Sequence, residues 1–250
     1  MTLQEFFIEH RKVAVAFSGG VDSAFLLYAA IKNGATVRAY YVKTAFQPQF
    51  ELDDARRLAY ELSADLKVVS LDVLSDETVV ANPPNRCYHC KRRIFSALRD
   101  EALRDGFDVI LDGTNASDDT NDRPGMKALQ ELAVLSPLQM CGFTKQEIRR
   151  LSKEAGLFTW NKPSYACLAT RIPTGQKIDE RLLRRTEWAE TYLASLGFSD
   201  FRIRTLGEAA KIQIRAAQLP LMMQKREEIV AEIKREYADV LLDLETRDEE

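Results

Sequence analysis

Histidine is nearly absent from this chain: two occur in 250 residues, His10 and His89. Neither has a second histidine at metal-ligand spacing, so neither is assigned a role. A positive charge excess is also missing, since 35 Lys and Arg stand against 38 Asp and Glu for a net charge of −3. That balance argues against bulk, backbone-driven nucleic-acid binding, although it leaves room for a local basic patch. No apolar run reaches the roughly 18 residues of a membrane span. The opening residues, MTLQEFFIEHRKVAVAFSGG, lack a basic n-region, a long apolar h-region and a small-residue cleavage site. No secretory leader and no membrane partner are therefore expected, and the expected compartment is the cytoplasm. Cysteine is scarce too, at Cys87, Cys90, Cys141 and Cys167. In a chain without a leader these read as thiols, metal ligands or catalytic groups rather than a disulfide framework.

With 46% hydrophobic residues over 250 positions, the chain can bury a sizeable core in a main domain plus a small appendage. Its first two thirds alternate strand-like and helix-like segments. Val13–Phe17 is a short apolar run ending in a Gly-rich turn, and Asp22–Asn33 reads as a helix stopped by Gly34. Thr36–Val42 and Leu66–Leu71 read as strands around a helix at Leu52–Leu62. Cys90–Leu103 reads as a further helix, and Val109–Leu111 as a short buried strand before the loop DGTNASDDTND. Strands separated by helices imply an α/β fold with a doubly wound parallel sheet, whose functional loops sit at the carboxyl ends of the strands. The final third differs. A helix at Leu182–Leu196 precedes a hairpin, FRIRTL (Phe201–Leu206) and KIQIR (Lys211–Arg215), with period-two alternation about Gly207. A charged helix after Pro220 and a last strand at Asp239–Leu244 complete a small α+β domain. The expected division is 1–177 and 178–250. There is no internal repeat, and TRDEE reads as a solvated tail.

SGGVDS, Ser18–Ser23, follows the first strand directly and opens a helix. Gly19 and Gly20 let the backbone approach a ligand and aim its N–H groups inward. The helix N-terminus adds partial positive charge suited to phosphate. Ser18 and Ser23 can donate hydroxyl hydrogen bonds. Asp22 would repel phosphate unless Mg²⁺ lies between them, so it reads as a metal-bridging carboxylate. A Gly turn with an Asp/Ser cap is the competing structural explanation. Neither the Walker A nor the dinucleotide spacing is present. The motif resembles the SGGxDS signature of the PP-loop ATP pyrophosphatases. That resemblance implies an adenine nucleotide alpha hydrolase-like fold and cleavage of ATP between the α and β phosphates, with AMP passed to the substrate.

NPPNRCYHCK, Asn82–Lys91, places Cys87 and Cys90 in a C-x-x-C pair entering a helix. Beside Arg86, Lys91 and Arg92 these thiols should have lowered pKa values. Cys167 lies in KPSYACLATRIPTG, Lys162–Gly175. Half a zinc site, a redox pair and a three-cysteine iron–sulfur cluster all remain open on spacing alone.

NPPNRCYHCK, DGTNASD, RPGMKAL, SPL, TKQEIR and PSYACLATRIPTG, in that order, together with FRIR, resemble the LarE family from Phe17 to about Arg215. The resemblance implies ATP- and Mg²⁺-dependent adenylation of the carboxylates of pyridinium-3,5-biscarboxylic acid mononucleotide. Their conversion to thiocarboxylates follows, on the way to the nickel-pincer nucleotide cofactor. It implies one of two sulfur routes: sacrifice of the sulfur of a cysteine at Cys167, leaving dehydroalanine, or delivery of an added sulfide by a 4Fe–4S cluster on Cys87, Cys90 and Cys167. The presence of all three cysteines favours the cluster, with an external sulfide source. Cys141 fits neither pattern and reads as a small buried hydrophobe. The resemblance also suggests a homo-oligomer.

Arg202 and Arg204 alternate with Phe201 and Ile203, so two guanidinium forks share a strand face; the family resemblance implies that they hold the substrate phosphate. Thr114 and Asn115 could serve the nucleotide and Asp118 a metal, or all could cap a turn. Arg171 is a candidate for anionic substrate or a surface charge. Tyr88 could stack on a pyridinium ring, with core packing the expected role. Two rival functions stay open: a tRNA-thiolating PP-loop enzyme, which would bind RNA with a steep salt dependence, and a nucleotide sensor that binds without turnover.

Overall fold

The computed structural model describes residues 1–118 and 124–247. Residues 119–122 of the DGTNASDDTND loop, Arg123 of RPGMKAL and the last three residues of the TRDEE tail lie outside the described residues. Tertiary contacts divide the chain into two units, 1–73 with 85–162 and 74–84 with 163–250.

The first unit opens with α1 (Leu3–Glu9), whose Thr2 and Glu5 form a reciprocal capping box. Then come β1 (Lys12–Ala16), α2 (Val21–Lys32), β2 (Thr36–Lys43), α3 (Gln49–Glu61) and β3 (Asp65–Ser70). The short α4 (Glu77–Val80) belongs to the second unit. The first unit resumes with α5 (Arg86–Arg104), β4 (Ile110–Leu111), α6 (Pro124–Glu131), α7 (Pro137–Met140) and α8 (Lys145–Glu154), ending in a 3₁₀ turn, Phe158–Asn161. All pairings in its four-stranded sheet are parallel, in the order β3-β2-β1-β4.

Alternation along the strands shows why helices cover both faces. Val13 and Val15 of β1, with Ala39 and Tyr41 of β2, pack into one core with α2, α3 and α8. Ala14, Tyr40 and Val42 enter a second core with Phe95 and Leu98 of α5 and Met126 and Leu129 of α6. Parallel strands buried on both sides read as continuous apolar runs, as these do. The chain moves from β1 outward through β2 to β3, then returns to place β4 on the opposite side of β1. Loops leaving β1 and β4 therefore diverge, which opens a crevice at their carboxyl ends.

The second unit contains α4, a 3₁₀ turn at Leu168–Arg171, α9 (Glu180–Ser195), β5 (Arg202–Leu206), β6 (Ala209–Gln213), α10 (Leu219–Ile233) and β7 (Asp239–Leu242). Its sheet runs β5-β6-β7, with β5 antiparallel and β7 parallel to β6. Leu193, Phe201, Ile203, Ile212, Ile229 and Tyr237 form its core.

The contact division falls elsewhere than 177/178. Hydrogen bonds tie the 163–178 segment to residues around α4: Gly175 N–H to the Asn82 carbonyl (2.8 Å), and Ile178 N–H to the Val80 carbonyl (2.7 Å). Asn82, 1% exposed and in the left-handed region at φ 55°, donates its side-chain amide to the Pro173 carbonyl at 2.8 Å. Long-range pairing of this kind leaves no periodic trace in sequence. Among the described residues, no helix is long and apolar enough to cross a membrane.

Candidate functional site

The Ser18–Ser23 turn leaves β1 and enters α2 at the crevice. Unlike α1, α8 and α9, α2 has no side-chain cap; its N-cap position is Gly20. Its first N–H groups are left for other acceptors. The two serines lock the turn internally. Ser23 Oγ accepts from Ser18 N–H at 3.3 Å and lies 3.1 Å from Ser18 Oγ, and Ser23 donates to the Gly20 carbonyl at 3.2 Å. Gly19 sits in the left-handed region at φ 72°, and a Cβ there would come within 3.1 Å of the Glu51 carbonyl on α3. The position thus needs glycine for both backbone conformation and close approach.

The loop after β4 closes the other side of the crevice. Gly113 abuts the start of α2 so closely that a Cβ would lie 2.9 Å from Ser23 N. Asp112 is buried and accepts from Thr114 Oγ1 at 2.5 Å and Ser136 Oγ at 2.6 Å. Asn115, 2% exposed, donates to Asp22 Oδ1 at 3.3 Å, and the Asp118 carboxylate accepts from Asn115 N–H at 3.1 Å. Lys145, the first residue of α8, pairs with the other Asp22 oxygen at 2.5 Å. One carboxylate thus faces an amide and an ammonium on its two oxygens.

These elements line a cavity of about 390 Å³. Ser18, Gly20, Asp22, Ser23, Asp112, Thr114 and Asp118 form its polar end; Tyr40, Val42, Phe95, Leu98 and Met126 form an apolar wall, with Lys91 on its rim. Of the sequence-derived nucleotide set, Ser18, Gly20, Asp22, Ser23 and Thr114 line it. Asn115 reaches it through Asp22, and Gly19 stands behind the loop. Lys145 was left without a role by sequence reading. The signal lay in TKQEIR, where a capping-box threonine, Thr144, fixes the helix start and so the lysine's direction.

Cys87 and Cys90 lie on the first turns of α5, Cys87 exposed and Cys90 buried, and neither lines the cavity. Their i, i+3 spacing puts them on neighbouring positions of one helix face. Arg86 Nη2 lies 3.9 Å from Cys87 Sγ. Tyr88 does not pack in the core as expected. Its hydroxyl donates to Glu131 at 2.8 Å, and Arg92 and Lys127 lie over its ring at 5.6 and 5.7 Å. Cys141 packs partly buried against the first core, and burial pushes its thiol pKa up. No disulfide joins any of the four cysteines.

In the second unit, Cys167 caps the 168–171 turn. Arg171 is not a surface charge. It is 2% exposed and grips Glu190 through Nε at 2.8 Å and Nη2 at 3.2 Å. Burial works against its charge, but Glu190 outweighs this and the net pKa direction is up. Arg202 and Arg204 share a strand phase but differ in setting. Arg202 is buried, donating to the Phe201 and Ser164 carbonyls at 2.7 and 2.6 Å. Arg204 is exposed and reaches Gln213 at 2.5 Å and the Thr170 carbonyl at 2.8 Å. Desolvation, followed by the charges of Arg171 and Arg247, lowers the pKa of both. Mutual repulsion among guanidinium groups is relieved by an anion, so this cluster is chemically suited to one.

Among the described residues, no three His, Cys, Asp or Glu side chains converge as a metal-holding group. The donor chemistry of Cys87, Cys90 and Cys167 nevertheless suits an iron–sulfur cluster, which thiolates hold. Asp22, a carboxylate on the glycine-rich turn, suits Mg²⁺, which takes one or two carboxylates and completes its shell with phosphate and water.

Comparison with known proteins adds the following. The model of "Queuosine biosynthesis protein QueC" matches residues 12–82, the stretch containing β1, the Ser18–Ser23 turn and β2. A pyridinium-3,5-bisthiocarboxylic acid mononucleotide synthase of Lactiplantibacillus plantarum is 35% identical over 211 residues, covering 84% of this chain and 76% of the relative. An uncharacterized protein of Synechocystis sp. is 34% identical over 226 residues, covering 89% and 83%. A tRNA-specific 2-thiouridylase MnmA of Thermotoga petrophila is 30% identical over 193 residues, but covers 60% of this chain and 54% of the relative.

Proposed function

The chain belongs to the LarE family of PP-loop proteins, and from that premise we propose that it is an ATP-dependent sulfurtransferase which adenylates the carboxylates of pyridinium-3,5-biscarboxylic acid mononucleotide and converts them to thiocarboxylates. The observation carrying this reading is the first unit's cavity. It joins a glycine- and serine-rich turn, at a helix N-terminus without a side-chain cap, to an apolar wall in a cavity of about 390 Å³.

A carboxylate is a poor acyl donor because its oxygen leaves badly. Attack of one carboxylate oxygen on the α-phosphorus of ATP breaks the bond to the β-phosphate oxygen, and pyrophosphate departs. The product is an acyl adenylate, whose leaving group is AMP. Ser18, Ser23 and the Gly20 N–H would hold the departing phosphates, with Lys145 adding positive charge where negative charge develops. Asp22 would hold Mg²⁺, which supplies charge neutralisation of the phosphates when bound. Thr114 and Asn115 would keep Asp22 and the nucleotide edge in place. In the second unit, Arg202 and Arg204, backed by Arg171, would bind the substrate phosphate. Sulfide attack on the acyl carbon then releases AMP.

For the sulfur, Cys87, Cys90 and Cys167 would hold a 4Fe–4S cluster, which when bound supplies sulfide from an external source at an open iron. A second route needs no cluster. There, Cys167 Sγ attacks the acyl adenylate, AMP leaves, and loss of the Cys167 Cα proton breaks its Cβ–S bond. The sulfur stays on the substrate and dehydroalanine remains.

The test uses protein prepared without oxygen. With ATP and Mg²⁺, pyrophosphate release should depend on the pyridinium mononucleotide, and Asp22→Asn should slow it by about 100-fold. Release triggered by tRNA instead would overturn the substrate assignment, and ATP binding without turnover would leave only a sensor. Iron and acid-labile sulfide present in the wild type and lost in both Cys87→Ala and Cys167→Ala would support the cluster route. Persistent lack of iron, with a mass loss of one H₂S per Cys167 after turnover, would establish the sacrificial route.

A further inference from the structure

The PP-loop is held from behind as well as from within. Lys162 donates through Nζ to the main-chain carbonyl of Gly19 at 3.2 Å and pairs with Asp54 of α3 at 2.7 Å. Its side chain is 15% exposed and lies over the Phe50 ring at 5.5 Å. Neither Lys162 nor Gly19 lines the cavity. The same stretch of α3 that supplies Asp54 also presses on Gly19, through the Glu51 carbonyl and Ala55.

The geometry of one peptide gives this contact a consequence. The Gly19–Gly20 bond is trans, so its carbonyl and its N–H point in opposite directions. With the Gly19 carbonyl held outward on Lys162, the Gly20 N–H is turned inward, toward Ser18 Oγ at 3.4 Å and the cavity that Gly20 lines. Between two glycines no Cβ resists rotation of this peptide plane. Its orientation therefore rests on the long inner contact to Ser18 Oγ and on the outside restraint. An ammonium on the carbonyl also polarises the peptide and makes its N–H a stronger donor.

We propose that Lys162 is a positioning residue: anchored by Asp54, it fixes the Gly19–Gly20 peptide so that the Gly20 N–H faces the nucleotide phosphate, without touching the nucleotide itself. This rests on the ATP reading of the cavity. The requirement at position 162 is a long cation able to meet a carbonyl and a carboxylate together, so arginine should substitute in part while methionine should not.

The test is the Gly20 amide resonance of the full ¹⁵N-labelled chain without ligand, compared among wild type, Lys162→Met, Asp54→Asn and Lys162→Arg. The expected result is a Gly20 signal shifted or broadened in the first two variants and near its wild-type position in the arginine variant. In pyrophosphate-release assays the KM for ATP should rise roughly tenfold in Lys162→Met, as for losing one charge-assisted hydrogen bond. An unmoved Gly20 signal in ligand-free Lys162→Met, with ATP affinity lost, would mean that the lysine meets the nucleotide directly and would overturn the proposal. A moved signal with an unchanged KM would overturn it equally. If Lys162→Met fails to fold by thermal unfolding, Asp54→Asn carries the comparison. If wild type turns over no ATP, the functional reading fails while the ligand-free spectra still decide the clamp.

Discussion

Replacing Arg171 by methionine would keep most of the side-chain volume and leave the Glu190 carboxylate without its cation. The pair is buried, at 1% and 5% side-chain exposure, and bidentate. Arg171 Nη1 also donates to the Ala166 carbonyl at 3.0 Å and Thr170 Oγ1 at 2.7 Å, while Glu190 accepts from Tyr165 and from Ile203 N–H. A surface ion pair contributes about 0–1 kcal/mol, but stranding one charge of a buried pair costs about 3–5 kcal/mol. Arg171→Met should therefore lose about 3–5 kcal/mol, and Glu190→Gln a similar amount. The double variant should cost about 1–3 kcal/mol less than the sum, because the partners share one network. Urea unfolding followed by Trp188, on the same helix as Glu190, reads the second unit alone once Trp160, the other tryptophan, is replaced by phenylalanine. A loss under about 1 kcal/mol for Arg171→Met, or strict additivity, would refute the claim that this pair is an integral part of the core.

Three further outcomes are expected. Gly113→Ala would force a Cβ to 2.9 Å from Ser23 N, where the neighbour is backbone at the start of α2. It should cost about 1–3 kcal/mol in thermal unfolding and slow pyrophosphate release by about 100-fold, and activity within twofold of wild type would sink the reasoning. Asp105 accepts from Lys67, Tyr40 and Arg38 on one oxygen; Lys67 foremost, then Tyr40, takes its pKa down to about 2. A depressed carboxyl contributes stability above its unfolded pKa of about 3.9, lost as pH falls through 2, so Asp105→Asn should flatten the acid unfolding curve between about pH 4 and 2. Burial, then Asp105, raises the Tyr40 pKa to about 12. Its contribution is present below about pH 10 and fades as pH climbs through 12, and an ultraviolet titration should show one tyrosine ionising late.

How much of this was readable from the residues differs by distance along the chain. Strands β1 and β2 were legible because both faces are buried, which writes continuous β-branched and aromatic runs; β3, half-buried at the sheet edge, was legible from the paired valines of LKVVSL. The Ser18–Ser23 turn was legible as a turn because its glycines, serines and aspartate lie within six positions, at a strand-to-helix junction. The helix at Pro124–Glu131 and the short α7 were missed; their signals are brief and follow a turn-rich loop. Lys145 and Lys162 were missed for another reason. They act on Asp22 and Gly19 across 123 and 143 residues, and no local period records such partners. The arginines at 202 and 204 were placed on a shared face, but only coordinates separate the buried Arg202 from the exposed Arg204.

The membership of Leu74–Pro84 in the second unit gives the chain a schedule. Asn82 emerges from the ribosome 90 residues before Ile172, one of the carbonyls it meets. At about 5–20 residues per second, α4 waits roughly 5–20 s for its partners while the first unit's later helices are still being made. During that interval the apolar Val79 and Val80, buried in the finished protein, have nothing of their own unit to cover them. A chain cut after β4 would keep this exposed strap for good, and a fragment beginning at Pro163 would be born without it.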